Sequence, residues 1–178
     1  MDLKRVSLSE INAWVDFLSE KFTYGAYIDG KVIKDNDIDW DKYRTIPIDI
    51  MNKKKVGICW DFVNYEHASL EKLNINHDCY LFLSTNSKDA GTIITHTFII
   101  IDIHGDNYWI EAAWKKHSGV HHISSIDTVV KMLQAEYGKN PYDLIRYNPK
   151  GLDMGLTSQQ YLDYIYQHGS IERRRHIG

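Results

Sequence analysis

Residues 92–114 read Thr-Ile-Ile-Thr-His-Thr-Phe-Ile-Ile-Ile-Asp-Ile, then His-Gly-Asp-Asn, then Tyr-Trp-Ile-Glu-Ala-Ala-Trp. The first stretch, Thr92 to Ile103, is rich in β-branched and aromatic residues and predicts a long strand. His104-Gly105-Asp106-Asn107 predicts a turn, and Tyr108 to Trp114 the return strand of an antiparallel hairpin. A further strand is expected at Tyr80-Leu81-Phe82-Leu83, with a polar loop from Ser84 to Gly91.

Helical patterns stand on both sides of these strands. Ser7-Leu8-Ser9-Glu10 is a capping box, and Leu8, Ile11, Val15 and Leu18 follow at helical spacing, so a helix is expected over 8–21. Residues 23–55, with Gly25, Gly30, Pro47 and many Asp, read as loop-rich with short helical or extended pieces. Gly57-Ile58-Cys59 opens a second helix, with Cys59, Val63, the stem of His67 and Leu70 on one face. Ser124 or Ser125 is expected to cap a helix along Ile126, Val129, Val130 and Leu133 that stops at Gly138. A last helix is expected from Ser158 to His168, with Tyr161, Leu162 and Ile165 as its buried stripe, and Arg173-Arg174-Arg175 as a solvated tail. Segregated helices and antiparallel strands predict an α+β fold.

The chain has 178 residues, which predicts one domain over 1–178. Hydrophobic residues make up 43% and charged residues 25%, excluding a disordered chain. A net charge of −3 argues against nucleic acid as a partner. No apolar run approaches the ~20 residues of a membrane span, and Met1 to Phe17 lacks the unbroken apolar core of an export signal. The two cysteines imply no disulfide framework and suit a reducing, cytoplasmic compartment. The composition is otherwise marked by 5 Trp, 12 Tyr, 5 Phe and 9 His, a mix that suits a packed core, a ligand cleft or both.

Cys59 differs from Cys79 in its setting. A glycine stands shortly before it and a helix begins at it. The positive end of the helix dipole attracts a thiolate, and a free backbone N–H there can hold an oxyanion. A nucleophilic cysteine also needs a base and a group to orient that base. His96 and Glu111 qualify by register. If the turn is His104-Gly105, Ile103 opposes Asp106 and Glu111 opposes Phe98, one diagonal step from His96. If it is Gly105-Asp106, Glu111 opposes Ile100. Both registers keep His96 and Glu111 on one face, but only the first brings them within diagonal reach, about 7–8 Å between backbones. Trp109 shares the Glu111 face and Trp114 does not, so Trp109 is expected to shield the pair from water. Asp61 is expected to be a helix-start acid or a surface charge. Trp40, Tyr43 and Asn52 lie in the segment expected to wall a cleft.

Gly57-Ile58-Cys59-Trp60-Asp61, Thr95-His96-Thr97-Phe98 and Tyr108-Trp109-Ile110-Glu111 together resemble the core of the transglutaminase-like superfamily, which are papain-like cysteine enzymes. The resemblance covers roughly residues 50–115. It implies a papain-like α+β core with the nucleophile at a helix N-terminus packed on an antiparallel sheet. It also implies Cys59 as nucleophile, His96 as base and Glu111 as orienting acid, where the family more often has Asp. Trp60 and Trp109 are then the candidate substrate contacts. The implied chemistry is acyl transfer from a peptide, protein or glutamine-type amide through a thioester, with water or an amine as acceptor and no cofactor. A non-catalytic peptide- or glycan-binding module on the same fold is the alternative, although all three triad positions are filled. A metal site from His77, Cys79, His121 and His122 lacks paired zinc spacing, so no metal ligand is assigned.

Overall fold

The structure is a computed structural model that describes residues 6–85 and 93–175. Its centre is a six-stranded, wholly antiparallel sheet. The strands are β4 (His77–Thr85), β5 (Ile93–Ile103), β6 (Asp106–Glu111), β7 (Gly119–Ile123), β8 (Tyr142–Tyr147) and β9 (Ser170–Arg175), in the order β7-β6-β5-β4-β8-β9. A small sheet holds β1 (Thr23–Ile28) between β2 (Lys31–Lys34) and β3 (Val56–Gly57), with β1 and β3 parallel. The helices are α1 (Leu8–Lys21), α2 (Ile48–Lys54), α3 (Cys59–Lys72), α4 (Asp127–Tyr137) and α5 (Ser158–His168). The fold is α+β, and a cysteine opens the helix that packs on the antiparallel sheet.

Side-chain alternation along the strands builds two cores. Cys79, Leu81, Ile99, Ile101, Ile110, Ile145 and Tyr147 share one core with residues of α1, α3 and α5. Phe82, Phe98, Ile100, Trp109 and Leu144 face the other way, against Val129, Val130 and Leu133 of α4. Capping chemistry explains two helix starts. Ser7 and Glu10 form the expected reciprocal box, and Thr157 with Gln160 forms another at α5. The α4 start differs: Ile126 is its N-cap, no serine side chain caps it, and the helix begins at Asp127.

Several elements depart from expectation. Residues 23–34 form a hairpin rather than a loop, turned by Asp29 (φ 50°) and Gly30 (φ 79°), the left-handed pair that suits a tight two-residue turn. Ser84 and Thr85 extend β4, while residues 86–92, where the rest of the polar loop and Thr92 were expected, lie outside the described residues. β6 stops at Glu111, short of Trp114, because the chain turns there and the Trp114 N–H donates to Glu111 Oε1 at 2.8 Å. Residues 173–175 are not a tail. They pair with β8 (Leu144↔Arg173, Asp143↔Arg174), and Arg173 and Arg174 form ion pairs with Asp127 and Asp143.

Candidate active site

The β5–β6 register pairs Ile103 with Asp106 and Ile99 with Ile110, so the turn is His104-Gly105. One further step sets Glu111 beside Phe98, and β5 runs on past the end of β6 to carry His96. The diagonal is closed by side chains. His96 Nε2 donates to Glu111 Oε2 at 2.7 Å, and both side chains are buried, at 5% and 2% exposure. The other Glu111 oxygen accepts the Trp114 N–H. Both carboxylate oxygens are therefore held, one by the imidazole and one by the turn that ends the strand.

Cys59 is a second polar neighbour of the ring. Burial works against a charged His96, but the Glu111 carboxylate and the hydrogen-bonded Cys59 side chain outweigh it and hold the imidazole up to about 10. Phe98 stacks near the ring and Trp114 meets it edge-on, with centroids 5.6 Å apart.

Gly57 and Asp61 set the start of α3. The Ile58 N–H donates to Asp61 Oδ2 at 3.0 Å, reaching forward to the third residue of the helix. Asp61 also accepts from the Ile46 N–H at 2.8 Å and from the Tyr43 hydroxyl. Asp61 is fully buried, so it is not a surface charge; burial pushes its carboxyl up to about 7, against the pull of the Ile46 and Ile58 amides and Tyr43. A Cβ on Gly57 would sit 2.9 Å from both Asp61 Cβ and Met51 Cε. Gly57 thus leaves the space that the Asp61 Cβ and the end of the Met51 side chain fill.

A cleft of about 190 Å³ opens beside His96, lined by Tyr24, Asp35, Ala113, Trp114, Lys115 and Tyr137. Tyr24 reaches it because β1 lies parallel to β3, with Tyr24 opposite Gly57. Burial first, then the charge and hydrogen bonding of Cys59, hold the Tyr24 hydroxyl well above its usual range, while the Cys59 backbone amide pulls it down. Tyr24 and Asp35 fall in the segment expected to be loop-rich. The Asp29-Gly30 hairpin turn is the signal that would have placed them together.

The expected tryptophans are elsewhere. Trp60 is 3% exposed and stacks on Tyr161, with centroids 4.5 Å apart. Trp109 is fully buried against Trp114, His117 and His121. Neither lines the cleft, so neither is placed to touch a substrate there. Trp114 covers the His96 ring in place of Trp109, because strand parity no longer governs side-chain direction once the chain turns at Glu111. Trp40 is half-exposed, Asn52 accepts from Lys55 on the surface, and Tyr43 is buried under Asp61; none lines the cleft. The four-residue metal set does not assemble: His121 bonds the His117 carbonyl and His122 stands exposed near Asp106. His77 and Cys79 instead meet His67.

Among the described residues, no helix is long and apolar enough to cross a membrane. Cys59 and Cys79 are both buried free thiols. No protein-family model matches the chain, and no curated protein matches it. Among solved structures, it is similar to an arylamine N-acetyltransferase from Bacillus cereus whose crystal structure has a Cys-His-Glu catalytic triad. The TM-score is 0.43 at 9% identity, covering 82% of this chain and 77% of that one.

Proposed function

We propose that the chain is a single transglutaminase-like domain that transfers acyl groups from an amide through a thioester on Cys59. The observation that carries this reading is the His96 ring held between the Glu111 carboxylate and the Cys59 side chain, beside an open cleft.

In the proposed reaction, the His96 imidazole, fixed by Glu111 through Nε2, already carries as a cation the proton that Cys59 has given up. The sulfur attacks the amide carbonyl, and an S–C bond forms as the C=O pair moves onto oxygen. The Cys59 backbone N–H holds that oxyanion, and the Tyr24 hydroxyl supplies the second donor. On collapse, the C–N bond breaks and His96 gives its proton to the departing amine. The thioester then passes its acyl group to water or to an amine, which releases the thiol again. At the wall of the cleft, Asp35 and Lys115 offer polar contacts to a substrate amide, and Tyr24, Trp114 and Tyr137 offer aromatic surface to the rest of it. The free thiols suit a reducing compartment such as the cytoplasm.

The test is intact-mass detection of an acyl adduct after mixing with a panel of peptide, glutamine and small amide substrates. An adduct that maps to Cys59 and is absent in Cys59→Ala supports the reading. No adduct on Cys59 and no amide turnover across the panel would leave a binding module on this fold.

A further inference from the structure

We propose that His67, His77 and Cys79 form a zinc-binding site, independent of the chemistry at Cys59. The three residues come from two elements that pack together. His77 and Cys79 are alternate residues of β4 and so point to the same face, the one that α3 covers. His67 meets them from α3. One donor atom from each of the three lies within 4.8 Å of the other two.

The hydrogen bonding of His77 is that of a ring prepared to ligate. Its Nδ1 lies 2.7 Å from the Ile75 carbonyl oxygen, which can only accept, so Nδ1 carries the proton. Nε2 is then a lone pair, fixed in direction by the backbone, as in histidines that bind metals. That lone pair faces His67 Nδ1 at 2.8 Å. His67 Nδ1 donates a hydrogen to it, and the proposed ion takes the place of that hydrogen.

Two imidazoles and a thiolate make a donor set suited to Zn²⁺. Tetrahedral Zn–N bonds of about 2.0–2.1 Å put two ligand nitrogens about 3.4 Å apart, so the rings need to part by about half an ångström. On binding, the Cys79 S–H bond breaks, the Zn–S bond forms and the proton goes to solvent. The His67 proton moves from Nδ1 to Nε2 by exchange with water, which frees Nδ1 for the ion.

The fourth position faces a cavity of about 300 Å³ whose lining includes Glu71, Asp78 and His168. Glu71 stands one turn after His67 on α3, on the same side. The cavity gives an ion a path to the otherwise buried Cys79 and room for a bound water. His67 lies about 12 Å along the helix axis from Cys59. The ion would pin the distal half of α3 to β4 and leave the Cys59 end untouched.

Chelator-stripped protein is titrated with Zn²⁺ against a chromophoric competitor, and in parallel with Co²⁺ by absorption. The expected result is one ion per chain and a thiolate-to-cobalt charge-transfer band. Cys59→Ala keeps the band and Cys79→Ser loses it. His67→Ala, at a partly buried position, binds Zn²⁺ at least tenfold more weakly, and it keeps the test sound whether or not Cys79→Ser folds. The proposal is overturned by no binding at one equivalent, by a cobalt spectrum without the thiolate band, by loss of the band in Cys59→Ala instead, or by unchanged affinity in His67→Ala. Activity on amides enters none of these readings, so the zinc site and the acyl-transfer reading fail separately.

Discussion

His96 Nε2 and Glu111 Oε2 are 2.7 Å apart, and both side chains are buried. A pair this deeply buried is costly to break from one side, because the remaining charge has no partner. Glu111→Ala is expected to lose about 3–5 kcal/mol of stability. Glu111→Gln, which keeps an oxygen for the His96 N–H, is expected to lose less. Urea unfolding of the two variants measures this, and equal losses would mean that the pair contributes through its charge alone, not through the oxygen that glutamine keeps.

The same pair sets a pH window. The His96 imidazole is raised from 6.5 to about 10 in the folded chain, so the fold holds a proton there that the unfolded chain releases. Its contribution is complete below pH 6.5 and is lost as the pH rises through about 10. The slope for one such group is about 1.4 kcal/mol per pH unit. The urea midpoint is expected to fall across this range in the native chain and to fall less in Glu111→Gln. A native midpoint that stays flat from pH 7 to pH 10 (about the span of the shift) would remove the charged imidazole from the site.

How much of this was legible in the sequence follows from the range of the forces involved. The limits of α1 and α5 are set by local capping, so spacing alone located them. The register of β5 and β6 follows from one turn and the two-residue period of a strand. That same period misled beyond Glu111, where the chain turns and Trp114 swings onto His96. β9 was hidden because its arginines find acidic partners on neighbouring elements, Asp127 and Asp143, which only the tertiary fold supplies. His67 was hidden from the His77–Cys79 pair for a similar reason: a helix and a strand bring them together, and no spacing rule spans both.

Gly57 and Asp61 predict a stability effect outside the triad. Gly57→Ala places a methyl 2.9 Å from Asp61 Cβ, which the helix fixes, and is expected to cost about 1–3 kcal/mol. Asp61→Asn puts an NH₂ where the Ile46 or Ile58 N–H needs an acceptor, and is expected to cost about 1–3 kcal/mol. The two losses are expected to be less than additive, since both release the same cap on α3. A double-mutant cycle by thermal unfolding checks this; full additivity would separate the glycine from the cap.

Cys59 reactivity separates the base from the oxyanion site. His96→Ala removes the group that takes the thiol proton, and alkylation of Cys59 by iodoacetamide at neutral pH is expected to fall about tenfold or more. Tyr24→Phe leaves that base in place. Its alkylation rate is expected to stay close to native, because alkylation builds no oxyanion. Its turnover of an amide is expected to fall about 10²–10³-fold, the usual effect of losing one oxyanion donor. The split between the two readouts is what assigns the hydroxyl. If Tyr24→Phe lowers alkylation as much as turnover, Tyr24 acts by positioning the Cys59 sulfur. If it lowers neither, the second donor is another group at the cleft, and the Tyr24–Gly57 register serves the sheet alone.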